Sequence, residues 1–197
     1  MKTYDLKDIE VFGRGFLSLY EALGNLQTFA ENIFQENKIG TKNSKGIYEI
    51  IPDNWYPMDQ SLTFYNAIKE KIGLRTLTNV GKKIIEKAMF PPGMDSIEKG
   101  LESLNIAYHM NHRKNGKVMF DPATGIILSG IGSFKLELTP GKKEAILVCE
   151  NPYPSEFDEG IITGMAKKFQ PEAVVTLDTT KPTRRKGGDS CTFKIKW

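Results

Sequence analysis

Cys149-Glu150-Asn151-Pro152-Tyr153-Pro154-Ser155-Glu156-Phe157-Asp158-Glu159-Gly160, with Arg184-Arg185-Lys186-Gly187-Gly188-Asp189-Ser190-Cys191 and the alternating run to Trp197, carries most of the chain's punctuation. The apolar run ending at Cys149 stops in a Pro-flanked turn. Ser155, with Asp158 three residues on, then opens a helix that should bury Phe157, Ile161, Met165 and Phe169 and end at Pro171. Ala173 to Leu177 reads as a strand. From Cys191 onward, Cys191, Phe193, Ile195 and Trp197 alternate with Thr192, Lys194 and Lys196, the period of a half-buried strand.

Working back, Phe134, Leu136 and Leu138 alternate with Lys135, Glu137 and Thr139, and Pro140-Gly141 turns the chain into Ala145 to Cys149, a hairpin. Before Asp121-Pro122 the spacing is helical. Phe12, Phe16, Leu19, Leu23, Leu26, Phe29 and Ile33 predict an amphipathic helix to about Asn37, with a break near Gly24. Ile47 to Ile51 reads as a short strand and Trp55-Tyr56-Pro57 as a turn. Helices follow at about 59–72 behind Asp59, at about 78–89 behind Thr78, and from Asp95, where Glu98 suggests a capping box, to before Asn115-Gly116. Helices first and an antiparallel sheet last, with one helix inserted into the sheet-forming half, is an α+β layout. A single domain over 1–197 is expected, with residues 120–197 forming the sheet. The helical segment 1–40 is expected to mediate a homodimer, because its apolar stripe would be a large patch on a monomer.

A net charge of +3 gives no support to binding of a nucleic-acid duplex, and any anion site must be local. No run is long enough to span a membrane, and Met1 to Gly13 has no apolar leader core, so a cytoplasmic location is expected. Two cysteines are too few for a disulfide framework or a four-ligand zinc site.

Three groups of residues could bind something. On the helical stripe, His112 lies four residues past Tyr108 and points inward, while His109 turns toward Asn105 and Glu102. An inward imidazole hydrogen-bonds a ligand, ligates haem iron, or is satisfied by a backbone carbonyl in the core. Two imidazoles without a third ligand predict no metal site. Gly160 and Gly164 give up about 2 kcal/mol of helix propensity on one face, so something approaches that face closely: packed protein, or a ligand. The glycines of Arg184-Arg185-Lys186-Gly187-Gly188 could form an anion nest, but the spacing is not that of a phosphate-binding loop. Glu156, Asp158 and Glu159 complement the helix dipole and are not read as an acid/base pair. No catalytic order of nucleophile and base emerges, and no enzyme is expected.

Leu104 to Gly116 with Asn111-His112-Arg113, then Asn151 to Gly160, then Arg184 to Cys191 before a strand ending in Trp, resembles the 4-vinyl reductase-type (V-four-R) small-ligand domain. That domain is related in fold to haem nitric-oxide-binding domains and to TRAPP vesicle-tethering subunits. The resemblance implies a dimeric α+β sensory or scaffolding module of bacteria and archaea. The family's cysteines near positions 155 and 183 are Ser155 and Thr183 here, and only Cys191 fits the pattern, as a pocket-lining thiol. The expected function is a sensory or adaptor domain holding a small apolar ligand between helices and sheet and signalling through a protein partner. Its site would draw on Tyr108, His112, Arg113, Phe157, Ile161, Gly164 and Cys191. The alternatives are an anion or nucleotide receptor built on Arg184, Arg185, Lys186, Gly187 and Gly188, and a haem-linked gas sensor using His112 or His109; no other cofactor is implied.

Overall fold

The structure is a computed structural model and describes residues 3–197. In chain order the elements are β1 (Ile9–Phe12), α1 (Gly13–Ala22), α2 (Gln27–Asn37), β2 (Thr41–Lys42), β3 (Tyr48–Glu49), β4 (Trp55–Pro57), α3 (Met58–Lys71), α4 (Leu74–Lys87), α5 (Ile97–Met110) and β5 (His112–Lys114). Then come β6 (Lys117–Val118), β7 (Ser133–Leu138), β8 (Glu144–Glu150), α6 (Ser155–Phe169), β9 (Val174–Leu177) and β10 (Cys191–Lys196). The α+β class agrees with the sequence reading. The larger sheet has the order β7-β8-β10-β9, all pairs antiparallel. Its inward positions, Leu147, Cys149, Cys191, Phe193 and Ile195, are buried against Leu101 and Leu104 of α5 and Ile162, Met165 and Ala166 of α6.

A second sheet, β4-β1-β5-β6, escaped the periodicity analysis because its strands are two to four residues long. Trp55-Tyr56-Pro57, expected as a turn, is an edge strand on β1, where Pro57 at the end of the pairing forfeits little. The break at Gly24 is real: this residue takes φ +58 and opens a 3-10 turn between α1 and α2. Thr78 caps nothing, since α4 starts at Leu74 directly after Gly73, whose φ of 114 a side chain would resist. Ser96, not Asp95, caps α5, with its hydroxyl accepting from the Lys99 N–H.

The N-terminal stripe is not exposed. Phe16, Leu19, Leu23, Ala30 and Ile33 are buried in a core shared with Phe64, Tyr65 and Ile68 of α3, which removes the exposed-patch argument for dimerisation through 1–40. Leu26 is the position of the stripe left open.

Candidate functional site

The face of α6 that carries Gly160 and Gly164 is covered by protein. A Cβ on Gly160 would stand 2.2 Å from the Thr78 carbonyl oxygen, and one on Gly81 would stand 2.6 Å from that of Phe157. At Gly164 a Cβ would lie 3.1 Å from Ile85 Cβ and from Lys82 Cα. Residue numbers rise together along the contact, so α4 and α6 run parallel with backbones touching. The missing side chains are explained by this approach: Gly164 packs on α4, and the backbones of Phe157 and Ile161 lie against Gly81. Phe157 packs its ring 4.9 Å from Tyr65.

Both imidazoles are buried at the corner where α5 meets β5. His112 Nδ1 lies 2.6 Å from the Tyr108 carbonyl oxygen. A carbonyl only accepts, so Nδ1 carries the proton and Nε2 is the acceptor for the Tyr153 hydroxyl at 2.7 Å. Ser61 also hydrogen-bonds Tyr153, and the Tyr108 hydroxyl donates to the Ile131 carbonyl at 2.7 Å. Burial lowers the His112 pKa to about 4, so the ring is neutral. His109, expected to turn away from the core, is 1% exposed because β7 and its entry loop cover α5 there. Its Nδ1 donates to the Asn105 carbonyl at 2.7 Å, and Gly132 gives the ring a second backbone bond. Arg113 belongs to the other sheet: it pairs with Glu10, with Nη2 to Oε1 at 2.8 Å, and its guanidinium lies 4.9 Å from the Trp55 ring centre.

The basic turn bonds most of its own amides internally. The N–H groups of Lys186 and Gly188 donate to the Thr183 carbonyl, and that of Gly187 to the Arg184 carbonyl. Arg184 folds inward, its side chain 6% exposed, and donates to the carbonyls of Asn151 (2.7 Å) and Tyr153 (2.6 Å), to Asn151 Oδ1 (2.8 Å), and to Asp158. Burial pushes the Asp158 carboxyl up to about 6, against the pull of Arg184. Arg185 donates to Ser155 Oγ at 2.8 Å and pairs with Glu156 and Glu159. The acids read as dipole complements are therefore also the partners of the arginines. Lys186 and Gly187 are exposed. Cys191 is buried in the sheet opposite Cys149, and its sulfur accepts from the Arg184 N–H at 3.3 Å. No cluster of three or more metal-ligating side chains occurs among the described residues.

Two clefts lie at the surface. One, of about 290 Å³, is lined by Tyr4, Asn151, Pro152, Arg184 and Asp189; the other, of about 270 Å³, lies between α2 and α3. Neither lies between the helices and the larger sheet.

An H-NOX protein from S. oneidensis in the Fe(II)NO state superposes with a TM-score of 0.60 at 13% identity, over 94% of this chain and 98% of that one. The fold is that of the haem nitric-oxide-binding domains. A Cs H-NOX variant (TM-score 0.61, 17% identity, 94% and 95% covered) and the Fe(II) unliganded H-NOX protein from K. algicida (0.60, 14%, 94% and 95%) agree. No family model and no curated protein matches the sequence, so the 4-vinyl reductase relation has no support beyond the motifs. The H-NOX fold implies haem, and the residues present do not fit it. Both His112 nitrogens are engaged inside the core, and His109 is bonded to two backbone groups. Among the described residues no helix is long and apolar enough to cross a membrane.

Proposed function

We propose that this chain is a non-catalytic sensory or adaptor domain on the H-NOX fold that signals through a protein partner without a standing haem or apolar-ligand cavity. The observation carrying this reading is the contact of α4 with the bare backbone of α6 at Gly81, Gly160 and Gly164, which fills with protein the face that the sequence left open to either packed protein or a ligand. Of the side chains expected to line the pocket, the Tyr108 hydroxyl is bonded to the Ile131 carbonyl, and both His112 nitrogens are engaged, by the Tyr108 carbonyl and the Tyr153 hydroxyl. Cofactor and small-molecule sites are concave and largely pre-formed, at about 300–1,000 Å³. The cleft beside Asn151 and Arg184 is just below that range, and neither histidine lines it.

A haem-linked gas sensor is the second reading, favoured by the H-NOX neighbours. Haem titration of the purified protein, with the absorption spectrum recorded and native mass spectrometry on the same sample, decides between the two. The adaptor reading expects no stoichiometric Soret band and no co-purifying small molecule. A Soret band lost in His112→Ala or His109→Ala establishes the haem sensor, and a co-purifying apolar mass re-establishes the ligand pocket.

A further inference from the structure

The polar cage around Arg184 is held together independently of the loop that delivers the arginine. Asn151 Oδ1 accepts from the Tyr153 N–H at 3.0 Å, and Asn151 Nδ2 donates to Asp158 Oδ2 at 3.0 Å. The turn from β8 into α6 thus presents the Asn151 and Tyr153 carbonyls, Asn151 Oδ1 and the Asp158 carboxylate around one point. This set consists of planar acceptors and a carboxylate, the complement of a guanidinium fork. Arg184 does not complete it. Asp158 Oδ1 and Arg184 Nε are both buried and have no hydrogen-bond partner, although the Asp158 side chain is 1% exposed. A guanidinium can engage both oxygens of a carboxylate; this one engages one. The cleft of about 290 Å³ opens beside the cage. The loop carrying Arg184 is exposed at 179–182 and 185–187, and outside the cage Arg185 ties it to Ser155, Glu156 and Glu159.

We propose that the Asn151–Tyr153–Asp158 cage is a guanidinium-binding site filled in cis by Arg184, and that the 179–189 loop is a plug displaced by a small guanidinium-bearing ligand entering from the adjacent cleft. The proposal is independent of the adaptor reading and of the haem question. A ligand fork that engages both Asp158 oxygens gains the bond Arg184 does not make, and the released loop carries Arg184 to the surface.

The test empties the cage with Arg184→Ala and supplies methylguanidinium. At ten times its dissociation constant the melting temperature of R184A should rise by roughly 3–6 °C, saturably. The double variant R184A/D158N should gain nothing, and methylammonium, which lacks the fork, should not substitute. Absence of a saturable gain in R184A, or an equal gain in R184A/D158N, overturns the site. If R184A does not fold alone, refolding in methylguanidinium should recover its near-UV circular dichroism, and failure to recover it counts equally against the cage. In the wild type, saturating methylguanidinium should speed hydrogen exchange at the Lys186 and Gly188 amides, which are bonded to Thr183. Unchanged exchange at those amides overturns the displacement.

Discussion

Gly160→Ala separates a glycine face built for packing from one built for a ligand. The new Cβ would stand 2.2 Å from Thr78 O, 2.9 Å from Thr78 C and 3.0 Å from Gly81 Cα, against the 3.4 Å at which ordinary contact begins. All three atoms are backbone, so no rotamer change relieves the clash and α4 must move by more than 1 Å. Overpacking of this kind costs about 1–3 kcal/mol, and contact with rigid backbone belongs at the upper end. Alanine returns about 1 kcal/mol of helix propensity. The net loss is therefore about 2 kcal/mol, a fall of roughly 1 M in the urea midpoint at ordinary m-values. Gly164→Ala meets its neighbours at 3.1 Å, a few tenths of an ångström too close, and should remain within about 0.5 kcal/mol of wild type. Equilibrium urea unfolding of both variants is the assay. If the face were open to a ligand, both alanines would stabilise the free protein by about 1 kcal/mol each. A G160A protein more stable than wild type refutes the packing argument and with it the filled-cavity reading.

Three further outcomes are expected. Tyr153→Phe removes the donor to His112 Nε2 and leaves that nitrogen buried and unpaired, costing about 1–3 kcal/mol in chemical denaturation; an unchanged midpoint would mean the bond contributes nothing. Because burial lowers His112 to about 4, the unfolded chain binds the extra proton between pH 4 and 6.5. Its contribution is intact above the unfolded value and is lost as pH falls toward 4, by up to ~3 kcal/mol. Asp158, raised to about 6, acts with the opposite sign, its contribution being lost as pH rises toward 6. The His112 share is therefore read from the stability difference between wild type and His112→Phe, which should shrink on acidification; a difference flat from pH 7 to 4 contradicts the assignment. Arg184→Met strands the buried Asp158 carboxylate and should cost about 3–5 kcal/mol, much of it recovered in R184M/D158N, whereas simple loss of packing would make the two changes additive in thermal melts.

The helical stripe from Phe12, the β7-β8 hairpin, α6 and the closing strand were legible because each repeats its apolar spacing over enough residues to show a period. His112 is buried as expected, but not for that reason: the helix ends at Met110, short of the expected stop before Asn115, and His112 opens β5. β1, β4 and β5 were not legible, since strands of three or four residues show no period and exist through pairing with partners about 45 or 100 positions away. His109 was misplaced because helical geometry sets a direction but not what lies in that direction, and the loop entering β7 arrives from elsewhere in the chain.

The site residues divide along the same line. That something had to touch the bare backbone at Gly160 and Gly164 follows from helix propensity alone; that it is α4, and not a ligand, is a fact of tertiary packing. Arg184, Arg185 and the acids of α6 are all visible in the sequence as charges at a turn and in a first helical turn, readings that satisfy local electrostatics completely. Only the antiparallel return of β10 beside β8 carries the arginines back over the start of α6, where burial turns a solvated basic turn into a closed ion-pair cage. By itself the sequence determined the α+β class and the elements with long repeats, because those depend on neighbours within a few residues. Which faces are filled, which imidazoles are engaged and which charges are paired was decided by contacts between distant segments, which local spacing does not encode.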